Sequence, residues 1–414
     1  MKYLLLAALS FELFLGATAS YGAGIKELMD RKPAKIEGGR TGNLRQRALK
    51  RLAKAQKLMA SEKYQDSLKV LDGLEKSLKS NKYGLSQVYQ TKGYVYAQSD
   101  RFPQAAESFQ KTLDLKALPK APLLNTMYSL AQVLVAQEKF IEAIPLLQDY
   151  MFNKEPARPD VFFFYGQILA QLKEIPAATR NIEKAVSLSS SPKESWLRLL
   201  VALYYEQKQY SKAAVILDKL VKIRPDKTKY WKQLSSVYLA MDKESKALAV
   251  LEVAYKNDAL KEEKDLLQLV RLSLFEGVPF KAGKYLDKAI SEGKVEKTAK
   301  HFELLAESWV QAQEIDLALV ALKKAAPLSK NGKLYVRQGQ LFLEKEKWKD
   351  SISSLKKGIA KGGLKKPGLA HVALGIAHYN AGSKKLALSS FGKAAKFPKF
   401  AKQAKEWMNH VSTE

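Results

Sequence analysis

A six-residue string ending in a small side chain recurs ten times along this chain. The copies are EKYQDS (62–67), DRFPQA (100–105), EKFIEA (138–143), KEIPAA (173–178), KQYSKA (208–213), DKESKA (242–247), GVPFKA (277–282), QEIDLA (313–318), EKWKDS (346–351) and GSKKLA (382–387). Their last residues are spaced 38, 38, 35, 35, 34, 35, 36, 33 and 36 positions apart. A period of this size argues against one ordinary globular core. It predicts small units that must stack, because each is too small to bury its own apolar face.

Each string joins two helical patterns. Before it, apolar residues recur at helical spacing, as in Trp231, Leu234, Val237 and Tyr238, or Phe302, Leu305, Ala306 and Trp309. After it, the terminal small residue is followed four and seven positions on by apolar ones: Ala213-Leu217-Leu220, Ala247-Leu251-Ala254, Ala318-Leu322-Ala325. The small residue lets two helix backbones approach, and the i+4 and i+7 residues fill the seam. Composition agrees. Only 22 Gly and 14 Pro in 414 residues disfavour fibrous and turn-dense all-β folds, and 46% apolar residues exceed what a disordered chain carries. The absence of Cys excludes disulfides, thiolate metal sites and cysteine nucleophiles.

The pattern resembles the tetratricopeptide repeat (TPR) over about residues 45–398. The position early in the first helix that TPRs fill with Gly or Ala is Gly93, Ala131, Gly166, Ala306, Gly339 and Gly375, with Val201, Ser235 and Val270 as departures; the terminal proline survives as Pro225. The resemblance implies an all-α, right-handed α-solenoid of about ten helix-turn-helix repeats over 44–398. Phe400, Ala404, Trp407, Met408 and Val411 share one helical face, so residues 399–414 read as a capping helix and tail. Residues 20–43, with Pro33, Gly38, Gly39 and Gly42 among charges, read as a flexible basic arm.

Residues 1–19 read as a secretory signal peptide and predict a periplasmic, exported protein. Lys2 opens it, Tyr3–Leu9 with Phe11 and Leu13–Leu15 forms the apolar run, and Ala17-Thr18-Ala19 gives a small-x-small cleavage site. A retained anchor would need about 20 apolar residues, more than this run supplies. The net charge of +28 ordinarily raises nucleic acid as a partner, but export makes that unlike the setting. Anionic envelope surfaces, glycans and acidic proteins are the alternatives.

No catalytic constellation is visible. There is no G-x-x-x-x-G-K-[ST], G-x-S-x-G or H-E-x-x-H string. Gly38-Gly39-Arg40-Thr41-Gly42 looks like a phosphate loop, yet nothing strand-like precedes it. His371 and His378 lie seven apart at positions that usually hold packing rings, with no Asp or Glu between Asp350 and Glu406, and read as core or seam residues. The expectation is a chain that is no enzyme and carries neither metal nor cofactor.

TPR ligands bind to recurring positions on the first helix of each repeat. Carried onto this sequence, the resemblance picks Gln87, Gln90, Tyr94 and Gln98, then Asn125, Tyr128 and Gln132, then Asp160, Phe163, Gln167 and Gln171, then Arg198 and Tyr205. Lys229, Lys232 and Arg271 hold equivalent positions further on. Amides beside flat rings suit an extended peptide whose backbone wants hydrogen bonds, and serve equally as a solvated helix face. The two-Lys, two-Asn clamp for a C-terminal carboxylate is not reproduced, since Ser236 stands where Asn is required.

Lysines concentrate toward the C-terminus: residues 349–405 hold thirteen against Asp350 alone. Lys356, Lys357, Lys365, Lys366, Lys384, Lys385, Lys396, Lys399, Lys402 and Lys405 form the candidate basic patch. Strings such as YWKQLSSVYLAMDKESKALAVLEVAY (230–255), GVPFKAGKYLDKAI (277–290), LYVRQGQLFLEKEKWKDSI (334–352) and AHVALGIAHYNAGSKKLALSSFGKAAK (370–396) resemble periplasmic TPR proteins that accompany TonB–ExbB–ExbD-type energy-transducing systems. That resemblance implies a scaffold binding a protein or extended peptide, with TonB–ExbB–ExbD-type components as partners and a role as transport accessory. The competing reading is a binder of anionic glycan or lipid through the basic C-terminal repeats.

Overall fold

The structure, a computed structural model, describes residues 22–40 and 42–413. The signal read over 1–19 lies outside these residues. Among them all regular structure is helical, and no helix is long and apolar enough to cross a membrane.

The chain divides into two compact units at Gln209/Tyr210. The first holds α1 (Gly22–Asp30), four hairpins and α10 (Glu194–Glu206). Its hairpins are α2 (Gln46–Ala60) with α3 (Tyr64–Ser77), α4 (Lys82–Gln98) with α5 (Phe102–Asp114), α6 (Lys120–Ala136) with α7 (Phe140–Asn153), and α8 (Pro159–Gln171) with α9 (Ile175–Leu188). The second unit opens with α11 (Tyr210–Ile223). Its five hairpins are α12 (Thr228–Leu239) with α13 (Glu244–Lys256), α14 (Glu263–Phe275) with α15 (Pro279–Ser291), α16 (Ala299–Gln311) with α17 (Ile315–Leu328), α18 (Lys333–Glu344) with α19 (Trp348–Lys361), and α20 (Pro367–Asn380) with α21 (Lys384–Ala395). α22 (Pro398–Thr413) closes it, packing on α21 and α20. Within each unit successive helices pack against one another, giving the all-α TPR solenoid.

The recurring string marks each turn. Its first residue is left-handed in all ten copies: Glu62, Asp100, Glu138, Lys173, Lys208, Asp242, Gln313 and Glu346 have φ between 52° and 63°, and Gly277 and Gly382 have φ of 68° and 75°. One left-handed residue reverses the chain after the first helix, as at an αL helix C-terminus. The string's last residue is then carried into the seam. Ser67, Ala105, Ala143, Ala178, Ala213, Ala247, Ala282, Ala318, Ser351 and Ala387 are all 0% exposed. The two serines cost no unpaired hydroxyl there. Ser67 Oγ donates to Ala55 O and Ser351 Oγ to Gly339 O, each at 2.8 Å.

Four residues further on, a bulky side chain fills the space above a first-helix glycine. Phe109 lies over Gly93, Ile182 over Gly166, Leu355 over Gly339 and Phe391 over Gly375; a Cβ on any of these glycines would come within 2.4–2.6 Å of the opposing side chain. The departures Ser235 and Val270 are buried at the same position. At the C-terminal end, Ala404 and Val411 are buried while Phe400, Trp407 and Met408 pack on the α20/α21 core. Trp407 stacks on Phe391, ring centroids 5.6 Å apart at 9°.

Residues 22–40, read as a flexible arm, have a defined path in the first unit. α1 packs against α7, with Ile25 buried, and residues 31–40 then run without regular structure to α2. Gly38 and Gly39 lie against the connection between α5 and α6, where a Cβ would meet the backbone of Lys120 or Ala117. Gly39 N donates to Leu118 O at 2.8 Å. These glycines serve close backbone approach.

Candidate polypeptide-binding faces

Repeats align on the Gly93 position, so the sequence-predicted ligand residues can be followed helix by helix. In the first unit they divide into two classes. Gln87, Gln90, Tyr94, Tyr128, Gln132 and Phe163 are half-buried, and most of them make identified contacts. Gln90 Nε2 donates to Thr126 Oγ1 at 2.8 Å, tying α4 to α6. Gln87 Nε2 donates to Tyr83 Oη at 2.7 Å. Tyr94 meets Phe109 edge-on, and Phe163 stacks on Trp196 at 5.1 Å. Tyr128 lies between Tyr150, Phe164 and the Arg158 guanidinium, 5.3 Å from its ring centre. Burial, with the Asp160 carboxylate adding to it, pushes the Tyr128 hydroxyl up to about 12. Asp160 itself pairs with Arg158. The rings named for ligand contact thus also bind one repeat to the next.

Gln98, Asn125, Gln167, Gln171, Arg198 and Tyr205 form the other class and are exposed on α4, α6, α8 and α10. They are neutral amides with one cation and one phenol, able to offer hydrogen bonds to a backbone.

The second unit carries an open groove of about 540 Å³ lined by Leu239 of α12 and by Lys264, Gln268, Arg271, Leu272 and Phe275 of α14. Lys264, Arg271 and Phe275 occupy the positions that Gln87, Tyr94 and Gln98 hold on α4. Phe275 is 72% exposed, the largest exposure of any big apolar side chain described. No carboxylate lies within the ion-pairing distance of Arg271 among the described residues, whereas Lys264 pairs with Glu262 at 2.6 Å. Lys232, named with Arg271 from the sequence, is committed elsewhere: its ammonium is 2.5 Å from Asp265, a carboxylate only 2% exposed. Sequence reasoning missed Phe275, Gln268 and Leu239. The signal was present, since Gln268 and Phe275 stand three before and four after Arg271 and therefore share its helical face.

All ten lysines of the basic patch are exposed, and none has a carboxylate within 4 Å among the described residues. The fold does not gather them in one place. Alternating helix direction puts the α19–α20 and α21–α22 connections, with Lys365, Lys366, Lys396 and Lys399, at one end of the hairpins. Lys384 and Lys385 sit at the opposite end, beside the α20–α21 turn. His378 is buried and His371 half-buried, stacked near Phe397. Burial lowers both imidazoles, Lys393 adding to it at His371 and Lys356 at His378.

No family model matches this chain, and no curated protein matches it. Solved structures do. MamA is 22% identical over 43% of this chain and 94% of its own, with a TM-score of 0.35. The C-terminal part of a TPR repeat-containing protein from Cytophaga hutchinsonii is 17% identical over 68% of this chain and 97% of its own, with a TM-score of 0.40. YrrB, described as a TPR protein with an unusual peptide-binding site, is 15% identical over 48% and 98%, with a TM-score of 0.36. These likenesses are distant, and the fold assignment rests on the helical pairs themselves.

Proposed function

We propose that this chain is a protein-interaction scaffold that holds an extended polypeptide segment on the first-helix faces of its repeats. The observation that carries this reading is the α14 groove. Phe275 is held in solvent beside Arg271, a guanidinium with no carboxylate in ion-pairing reach among the described residues, and apolar Leu239 and Leu272 line the groove with them. Exposing an aromatic ring costs hydrophobic free energy, and a contiguous apolar patch rimmed by polar groups is the usual mark of an interaction surface. Its chemistry fits a segment with an apolar side chain next to an acidic one. The signal over 1–19 and the strings resembling periplasmic TPR proteins support a periplasmic setting, with a TonB–ExbB–ExbD-type energy-transducing or transport complex as the partner class.

In-cell crosslinking followed by mass spectrometry tests the reading. The informative variant is Arg271→Ala with Phe275→Ala, because both side chains are exposed and their loss leaves the core intact. Partners captured by the wild type should be lost from the double variant. An unchanged partner set refutes the assigned groove, and partners confined to the cytoplasm refute the setting.

A second reading has its own observation. Lys365, Lys366, Lys396 and Lys399 project from one end of the last hairpins with no acid within ion-pairing distance among the described residues. Each basic residue adds on the order of 1 kcal/mol toward an anionic membrane in near contact. Vesicles with anionic headgroups should sediment the protein at about 0.1 M salt and release it at about 0.5 M, since the field is screened over a few ångströms there. Binding that survives the higher salt, or never occurs, rules it out.

A further inference from the structure

The arm at the N-terminal side of the first unit is tied to α7 mainly through its backbone, with one further bond, Gly39 N to Leu118 O, to the α5–α6 connection. Arg31 makes two hydrogen bonds to the Asp149 carboxylate, Nη1 to Oδ1 at 2.7 Å and Nη2 to Oδ2 at 2.9 Å. Asp149 Oδ1 also accepts from Ala34 N at 2.7 Å. One turn further along α7, the Asn153 amide reads the extended chain in both directions: Ile36 N donates to its Oδ1 at 2.8 Å, and its Nδ2 donates to Ala34 O at 2.7 Å. Gln148 Nε2 donates to Leu28 O at 2.9 Å. Between residues 24 and 40 only Ile25 is buried, and the arm's hydrogen bonds to α7, apart from those of the Arg31 guanidinium, are made by main-chain atoms that any sequence supplies. Pro33 fixes its own φ and keeps Lys32 extended, which presents those atoms in line.

We infer that Asp149 and Asn153 form a binding site for an extended, arginine-bearing basic segment of another polypeptide, and that residues 31–36 are its resident intramolecular occupant, with Gln148 holding the end of α1 that precedes it. The main-chain bonds to Asn153 are sequence-tolerant and the bidentate pair selects arginine over lysine. Asp149 is nearly buried, its side chain 10% exposed under the arm, so an empty site would leave that carboxylate without its arginine and Asn153 Oδ1 without its donor, while Asn153 Nδ2 keeps its 2.8 Å bond to Asp149 O. The tether gives the arm an effective concentration in the millimolar range, so an outside segment gains access when the arm's own anchor is weakened. This site is separate from the α14 groove. It rests on the scaffold reading only in that its ligand is a polypeptide, and its test uses different residues.

The experiment uses the full chain and a labelled synthetic peptide of residues 28–40 as probe, read by fluorescence anisotropy. Arg31→Ala should bind the peptide at least about tenfold more tightly than the wild type, because the competing arm is loosened. Adding Asn153→Ala or Asp149→Asn to that chain should remove the gain, with circular dichroism reporting an intact helical fold. In the unaltered protein, excess peptide should speed hydrogen exchange at the Ala34 and Ile36 amides by displacing them. Equal binding by the wild type and Arg31→Ala, or no binding by either, overturns the proposal, as does exchange indifferent to the peptide. A dimer whose Ala34 and Ile36 protection falls on dilution would assign the arm to a second copy and overturn the intramolecular occupant.

Discussion

At the scale of single residues, two backbone positions govern each hairpin, and they respond to substitution in opposite senses. Gly375 lies under Phe391, where an added Cβ would stand 2.4 Å from Cε1. The ring cannot retreat, since it is fully buried and stacked on Trp407. Overpacking costs about 1–3 kcal/mol or more, against about 1 kcal/mol of helix propensity gained by replacing glycine. Gly375→Ala should therefore lower stability by about 1–2 kcal/mol in urea titration. Gln313 is the reverse case. It is exposed, its φ is 63°, and a left-handed non-glycine costs roughly 1–2 kcal/mol, more than the chain entropy that glycine adds to the unfolded state. Gln313→Gly should raise stability by about 0.5 kcal/mol in the same measurement.

Between helices, the charged seams are the sensitive joints. Lys232 of α12 and Asp265 of α14 form an ion pair whose carboxylate is essentially removed from water. Lys232→Met should cost about 3 kcal/mol by leaving that charge uncompensated, and combining it with Asp265→Leu should recover most of the loss. A fall in stability for the double variant as large as for the single would contradict this. The α20 imidazoles give a pH dependence with a definite sign. His371 and His378 have folded pKa values below the ordinary 6.5, and neither Nδ1 has a hydrogen-bond partner among the described residues. As pH falls through 6.5 the unfolded chain takes up protons that the folded chain refuses, so stability drops below that point. Melting followed by circular dichroism should give a lower midpoint at about pH 5 than at about pH 7.5, with a flatter dependence in His371→Gln/His378→Gln.

These elements were largely legible in the sequence, because a 3.6-residue stripe and a small residue at fixed spacing are local signals. Each terminal small residue of the string is fully buried, and the turn falls where the string begins. The exposure of the candidate ligand face was legible only in part. Tyr94, Tyr128 and Phe163 sit at positions the TPR resemblance names for ligand contact, but Phe109 and Tyr150 from the second helix of the same hairpin and Trp196 from the next repeat lie within ring contact, and packing claims them. Phe275 lacks such a neighbour and stays in water. The seat of the arm was not legible at all, since Arg31 and Asp149 lie 118 residues apart and Arg31 stands outside the repeating pattern.

For the molecule as a whole, each unit has its own run of stacked cores, so damage should remain local. A variant such as Lys232→Met belongs to the second unit and should leave amide protection in α2–α9 unchanged. Groove and arm site likewise fall in different units, the first built on α14 and the second on α7. The two proposed contacts are therefore chemically distinct, one cationic and aromatic, the other anionic and amide-rich.

α22 decides where the second unit ends. Its Trp407, Ala404 and Val411 cover a face of α20 and α21 that has the same character as every internal seam. A chain cut before Pro398 would present that face to water, and an end resembling an internal joint is an invitation for another copy to add on. Light scattering of such a truncated chain should reveal growth with concentration that the intact chain lacks. The ring stack of Trp407 on Phe391 would then be what keeps that last seam from serving as a growth point.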